Sequence, residues 1–595
     1  MKIFNVVINY VTDMSLSGKI SRNLNKKGLR KIRRRIAKFG ENRRYQKWIR
    51  KVEKKSAASR KVLSEQSRLL SDKPLISVIL PVYNVGEKWL RLCIESVEKQ
   101  IYENWELCIA DDCSPSPHIR KVISEYAAKD KRIKVVFRAE NGHISAASNS
   151  ALELANGEFC ALLDHDDELA EDALFYIVKE INEFPETKMI YSDEDMIDER
   201  GRRYDPKFKP DWSRDFFYSL NLITHLSAYR TEILRKINGW RIGYEGSQDY
   251  DLALRFIEQI PEKSIRHIPR ILYHWRAIRG SVALSGDEKP YAHERAREAI
   301  RSHLERTGKQ AKVSRTVYNL HRVQYDLPPR LPKVSLILLE KEDFAATKQA
   351  IKTLNEETDY QNFEIALVCS PETKERFSAE IFAQNAKIIV CEKESEAERY
   401  NSAVLQTDGE VLCFIGENLR PVSKDWLKEM VGFALQTEIG AVGAKILSAS
   451  GIILHGGIIL GINDFIGFAH SGFPKGISGN LERAQVVNNF SATAIDCLAT
   501  RREVFQTAGG FDAEHFRNKL FDVDFCLKLR EKNLRIVWTP YAELVQVDKQ
   551  KLLNMQKKPT VAERDFFKRK WQNLIEKDPF YNPNFPRRSE PFMID

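Results

Sequence analysis

Beyond residue 74, short and almost wholly apolar runs alternate with longer stretches in which apolar positions recur every three or four residues. Residues 76–80, 105–110, 133–137 and 159–163 are too short and too continuously apolar for surface helices, which predicts strands buried on both faces. The stretches between them, 88–100, 119–128 and 145–156, carry the helical period. Strand and helix in strict alternation predict a parallel α/β sheet with crossover helices, and ligands of such sheets gather beyond the carboxyl ends of the strands.

Those strand ends hold the candidate chemistry. Pro81 and Tyr83 follow the first strand, Asp111 and Asp112 the second, and Asp164, Asp166 and Asp167 the fourth. Asp164 and Asp166, one residue apart where an apolar run breaks off, can both turn towards one hard cation. A D-x-D taken alone is also a common solvated turn, so its meaning depends on the rest of the chain.

Composition narrows the class. A chain of 595 residues, 43% hydrophobic and 30% charged, describes two to four globular domains with ample core. Its nine cysteines form no C-x-x-C pair, which argues against a disulfide framework or a zinc cluster and suits a reducing cytoplasm. No apolar run approaches the ~18 residues that span a bilayer, and the first residues lack a signal peptide's pattern.

The net charge of +11 is unevenly spread. Residues 1–62 hold 20 Lys and Arg against 3 acidic residues, so the remainder is net acidic. Within residues 19–62, Leu29, Ile32, Ile36 and Phe39 recur at helical spacing among the basic side chains, and a second helical piece around Trp48, Ile49 and Val52 is expected after a break at Gly40. This basic amphipathic extension suits an anionic membrane surface. Nucleic acid is the rival partner for such a charge run and a solvated extension the simplest alternative; the membrane is preferred, with no nucleic acid, and places the protein peripherally on the cytoplasmic face of the cell membrane.

Six motifs occur in order: Pro81-Val82-Tyr83-Asn84, Asp111-Asp112-Cys113-Ser114, Asn141-Gly142 with Asn149, Leu163-Asp164-His165-Asp166-Asp167, Gly246-Ser247-Gln248-Asp249 and Tyr273-His274-Trp275-Arg276. Together they resemble the family 2 glycosyltransferases of GT-A fold, inverting enzymes that use nucleotide sugars and a divalent metal, here of the type that builds bacterial surface polysaccharides. The resemblance implies that Asp112, with Asp111, grips the nucleoside, that Tyr83 stacks on the base, and that Pro81, Asn149 and Asp164 complete the donor site. It also implies that Asp164, Asp166 and the later His274 hold Mn2+ or Mg2+, and that Asp249 is the catalytic base. Asp167 is expected to orient a ligand; Asp193, Glu194, Asp195, Asn221 and His225 are candidates for the sugar or acceptor pocket. Asp251 is equally able to cap a helix.

From Pro332 the chain starts again. Residues 334–338 echo 76–80, Asn362 to Ile365 echo Asn104 to Leu107, and Asn401 to Glu410 match Asn149 to Glu158 at identical spacing. In that frame Tyr83 becomes Lys341, Asp111 and Asp112 become Cys369 and Ser370, and Asp164-His165-Asp166 becomes Gly416-Glu417-Asn418. Asp522 stands where Asp249 does, while Gln546 stands where the late histidine is expected. Glu417 is too isolated to rebuild a metal site.

The expected fold is therefore α/β: a basic helical extension (1–70), a catalytic GT-A domain (71–325), a degenerate GT-A domain (326–550), and a C-terminal helix and extended strap (551–595). His455, His470 and the stretch 488–490 are expected to form a groove in the second domain. The expected function is transfer of a sugar from a UDP- or dTDP-sugar to a lipid-linked or protein-linked glycan, by the first domain alone, in a possible oligomer or complex with other glycosyltransferases. A bifunctional transferase or polymerase, and a non-catalytic glycan-binding scaffold, are the alternatives.

Overall fold

The computed structural model describes residues 40–53, 60–278, 290–317, 319–340, 344–375, 386–416, 418–547, 558–589 and 591–594. The cationic stretch 19–39, Lys341 and Glu417 lie outside them.

The first sheet is built from β1 (Ile76–Val82), β2 (Trp105–Asp111), β3 (Ile133–Phe137), β4 (Phe159–Leu162), β5 (Glu168–Leu169), β6 (Met189–Ile197), β7 (Arg203–Lys207), β8 (Ser227–Arg230) and β9 (Ile265–Arg276). Its order is β3-β2-β1-β4-β8-β6-β9-β5, with β7 on β6. Every residue of β1 and β2 is buried, which explains why these strands read as continuous apolar runs rather than alternating ones. The helix Glu87–Glu98 covers one face by burying Leu90, Cys93, Ile94 and Val97 at helical spacing.

The second sheet repeats this plan. Its strands run Ala386–Val390, Phe363–Cys369, Val334–Leu339, Val411–Ile415, Cys497–Arg501, Ile439–Ser448, Arg535–Gln546 and Leu419–Pro421 in spatial order, the same permutation of sequence order as in the first. Register matches too: Ile76 pairs with Phe159 and Trp105, as Val334 pairs with Val411 and Phe363.

What survived in the second copy is framework. Ser77 Oγ donates to Glu106 at 2.7 Å and accepts from the Gly157 amide at 2.8 Å; Ser335 does the same with Glu364 at 2.7 Å and Gly409 at 3.0 Å. A Cβ on Gly157 would lie 2.6 Å from the Ser77 nitrogen, and one on Gly409 2.5 Å from that of Ser335. Only glycine permits that approach, so both copies keep it.

The two units are joined by buried polar contacts. Asp215 pairs with Arg535 at 2.8 Å, and the Asn489 amide donates to Asp215 at 2.7 Å. The strap after the helix Gln572–Glu576 crosses back to the first sheet, where Asn582 donates to Asp193 at 2.9 Å and to the Lys209 carbonyl at 2.8 Å. Asp193 is therefore a structural anchor rather than a pocket residue. Asn488 and Asn489 are likewise buried in contacts with Arg483 and with Ser213 and Asp215, and His470 is stacked on Phe592. These three do not line a groove.

The N-terminal segment also differs from expectation. Gly40 lies within helix, which runs to Trp48 and continues as a π-helical turn, Ile49–Glu53. Tyr45 and Trp48 face the protein: the Tyr45 hydroxyl donates to Asp195 at 2.5 Å, and the Trp48 ring packs on Phe208 at 5.1 Å. Residues 40–53 thus dock on β6 and β7. Among the described residues no helix is long and apolar enough to cross one.

Candidate active site

The carboxyl ends of β1 and β4, the segment before β8 and the first turn of the helix Gln248–Ile257 meet through His165 on the Pro81 carbonyl, His225 beside Asp164 and Asn221 on Asp249, with the end of β2 next to β1.

Asp112 sits one residue beyond β2, held there by its amide on the Val82 carbonyl at 2.9 Å. Its carboxylate is buried. One oxygen accepts from Arg138 Nε at 2.8 Å and the Gly142 amide at 2.9 Å, while the other, Oδ2, is buried without a hydrogen-bond partner. A buried acceptor left unsatisfied costs about 1–3 kcal/mol, and a ligand N–H or hydroxyl would remove that cost. Asp111 accepts from the Ser114 amide at 3.2 Å and lines a cavity of about 420 Å³ with Ser114, Arg120 and Arg138. Tyr83 is 47% exposed just past β1, its ring face open to a base. The Pro81 carbonyl faces His165 Nδ1 at 3.3 Å.

Asp164 and Asp166 occupy the turn after β4. The Asp164 side chain is 43% exposed. Burial raises Asp166, with His165 opposing and the Asp164 charge adding to the rise. Two carboxylates side by side on one turn fit a divalent cation. Among the described residues no three His, Cys, Asp or Glu side chains form a ready-made metal cage. A cation held by this pair would take most of its coordination from other oxygens, as in Mg2+ sites completed by substrate phosphates and water.

Three of the expected site residues have defined protein partners. Asp167 is fully buried and accepts from the Tyr273 hydroxyl and the Arg276 amide, both at 2.6 Å, so it braces the turn. His274 is held by Nδ1 on Asp195 at 2.6 Å. Side chains alternate along a strand, and the flanking Tyr273 and Trp275 both lie against His225, which puts His274 on the opposite face of β9 from the imidazole that meets Asp164. Asn149 uses both ends of its amide on the Trp240 backbone, at 2.8 and 2.9 Å. Asn401 makes the same pair with Phe511 at 2.8 and 3.0 Å. The contact is thus common to both copies of the fold.

The imidazole that meets the acidic turn is His225. Its Nε2 lies 3.7 Å from Asp164 Oδ2 and its Nδ1 3.1 Å from Glu194. Burial opposes its charge, but the Glu194 hydrogen bond and nearby carboxylates raise it to about 9. Its stacking on Tyr273, at 4.6 Å between ring centres, fixes the ring. Asn221, from the same segment, donates to Asp249 at 2.9 Å. The signal for both residues was their sequence neighbourhood just ahead of a strand; nothing in the sequence distinguished their roles.

Asp249 lies in the first turn of its helix, and burial raises it, with His225 opposing. Asp251, two residues on, turns inward to Arg241 at 3.0 Å and Arg255 at 2.9 Å. Asp249 is thus the carboxylate presented to Asn221 and His225.

The second sheet lacks this constellation. The shared register places Cys369 and Ser370 at the nucleoside carboxylates and Gly416 at Asp164. Asp522, in the helix position of Asp249, has both oxygens committed to the Ile495 and Val523 amides at 2.9 Å. Pairing Glu168 with His274 and Arg420 with Val545 puts Val545, not Gln546, at the position of the late histidine.

Residues 77–237 match the model of glycosyl transferase family 2. The chain carries a family 2 glycosyltransferase domain. This domain begins within β1 and ends just after the helix Thr231–Lys236, so it contains Asp112, the Asp164–Asp166 turn and His225. Similarity to curated relatives runs further. The chain is 39% identical over 546 residues to an uncharacterised protein, y4gI, of Sinorhizobium fredii, and 32% identical over 526 residues to the O-antigen biosynthesis protein RfbC of Myxococcus xanthus. These alignments cover 89% and 87% of this chain but 60% and 40% of those proteins. Among solved structures, S. aureus TarS 1–349 in complex with UDP-GlcNAc aligns at a TM-score of 0.32 and 21% identity, over 38% of this chain and 66% of that one.

Proposed function

We propose that the first domain is a metal-dependent, inverting glycosyltransferase and that the second is its degenerate copy. The observation that carries this reading is the contrast between the two sheet ends: Asp249 accepts from Asn221 in a cluster with His225 and Asp164, whereas at Asp522 the register sets Gly416 in place of Asp164 and Ser370 in place of Asp112. In the reaction, Asp112 and Asp111 hold the nucleoside of a UDP- or dTDP-sugar and Tyr83 lies on its base. Asp164 and Asp166 would hold Mn2+ or Mg2+, whose chemistry is to neutralise the charge that grows on the diphosphate leaving group. The acceptor hydroxyl oxygen attacks the anomeric carbon as its proton passes to Asp249, the bond to the diphosphate oxygen breaks, and one displacement inverts configuration. His225 faces Asp164 from beside Glu194 and orients that turn.

The acceptor is read as a growing cell-surface glycan, lipid-linked or protein-linked. The O-antigen relative supports this reading, and complexes with other glycosyltransferases would follow from it.

Incubation with a panel of UDP-, dTDP- and GDP-sugars, monitored for nucleotide release, tests the reading. Release should require Mn2+ or Mg2+, stop with a chelator, and fall about 100-fold or more in Asp166→Ala. Asp522→Asn should leave it unchanged. Loss of a second, distinct linkage in the Asp522 variant would establish two active sites instead.

The cationic stretch 19–39 is proposed to hold the enzyme on the anionic cytoplasmic leaflet. Removing residues 1–39, which spares the docked Tyr45 and Trp48, should release the protein from phosphatidylglycerol vesicles in a flotation assay. Undiminished flotation would reject the anchor.

A further inference from the structure

The second sheet also brings an imidazole and a carboxylate together at this end, with the carboxylate now in the position of His225. Ala228 faces Ala161 in the first sheet as Ala499 faces Cys413 in the second, so Asp496 stands where His225 stands. Across from it, Glu194 pairs with Lys207 in the first sheet, and the residue in its place, Ile446, pairs with His455. His455 Nε2 lies 3.6 Å from Asp496 Oδ2.

His455 is 2% exposed, and neither ring nitrogen has a hydrogen-bond partner. Each unsatisfied buried nitrogen costs about 1–3 kcal/mol, and two on one ring at the ligand end of a sheet call for a ligand or an ordered water. The imidazole itself is covered, and its neighbours reach solvent: the Asp496 side chain is 32% exposed, and the Phe468 ring, 5.3 Å from that of His455, is 38% exposed.

A half-exposed ring and a carboxylate set around one buried imidazole recognise a particular chemistry. The ring packs against C–H groups, and the carboxylate accepts hydrogen bonds from hydroxyls. Anions are disfavoured by Asp496. A nucleotide would find no carboxylate at Cys369 and Ser370, the positions of Asp111 and Asp112. A neutral pyranose meets every condition.

We propose that Asp496, Phe468 and His455 form a binding site for one uncharged sugar ring of the acceptor glycan, separate from the transfer site. Asp496 accepts from ring hydroxyls, Phe468 covers the C–H face, and His455 lies behind Asp496 as its positioning residue. The identity of the ligand rests on the glycosyltransferase reading above; the existence of the site does not.

The test uses the full chain carrying Asp166→Ala, saturated with UDP, so that no turnover occurs. Free D-glucose, D-galactose, D-mannose, L-rhamnose and N-acetylglucosamine serve as probes in saturation-transfer NMR. At least one should receive saturation, and Asp496→Asn or Phe468→Ala should weaken its binding about tenfold, the effect of losing one charged hydrogen bond or one ring contact. Phe468 is exposed, so its variant folds and decides the matter if Asp496→Asn does not. Silence from every sugar, or signals undiminished in Phe468→Ala, would overturn the site. Sugar binding without any transfer by the unmodified protein would overturn the catalytic reading and leave this one standing.

Discussion

Asp249→Asn lowers turnover by about 10²–10⁴-fold while nucleotide-sugar binding stays near the unmodified level, the loss that follows removal of a general base. The change is nearly isosteric, and an amide in place of the carboxylate still faces Asn221. What disappears is the ability to take the acceptor proton. Donor binding is untouched because Asp112, Asp111 and Tyr83 lie on other strands. The pH profile carries a second signature. Burial raises Asp249 above the ordinary carboxylate range, so activity rises as pH increases through that raised value and the base becomes charged. Isothermal titration with UDP and single-turnover rates across pH separate the two effects; weakened UDP binding in the variant would show that Asp249 serves the donor instead.

Asp215→Ala destabilises the folded chain by about 3 kcal/mol, the scale of breaking a buried ion pair from one side. Asp215 is 2% exposed, lies 2.8 Å from Arg535 and accepts from the Asn489 amide at 2.7 Å. Its removal strands a guanidinium and an amide between the two sheets. Glu262 at 3.8 Å and Glu438 at 3.7 Å remain near Arg535 and keep the loss from growing larger. Urea unfolding should show a lower midpoint, and Asp215→Ala combined with Arg535→Met should recover part of the loss, because no charge is then left unpaired. An unchanged midpoint in the single variant would mean that the pair adds nothing to the junction.

Much of this architecture was visible along the chain. The expected strand 133–137 is β3 residue for residue, and the helix expected over 119–128 spans Pro117–Lys129. The gapless frame that set Gly416 against Asp164 agrees with the register of both sheets. These features were legible because buried strands and amphipathic helices write their burial into consecutive residues. What the chain did not show is the partner of a side chain when that partner lies far away. Sequence spacing cannot reveal that Trp240 meets both ends of the Asn149 amide, that Asp195 holds His274 Nδ1, or that the Trp48 ring packs on Phe208.

The sequence by itself determined the duplicated α/β plan, the strand ends that carry Asp112, Asp164 and Asp166, and the loss of those groups in the second copy. Each depends on residue type and local spacing, which the chain states directly. Only the tertiary structure decided which carboxylates are available for chemistry. Asp167, Asp193, Asp195 and Asp251 are spent on Tyr273, Asn582, Tyr45 and Arg255, whereas Asp249 meets Asn221 and Asp112 keeps one buried oxygen unpaired. A carboxylate's role is set by what neighbours it, and in a fold of long crossovers those neighbours come from segments tens to hundreds of residues away.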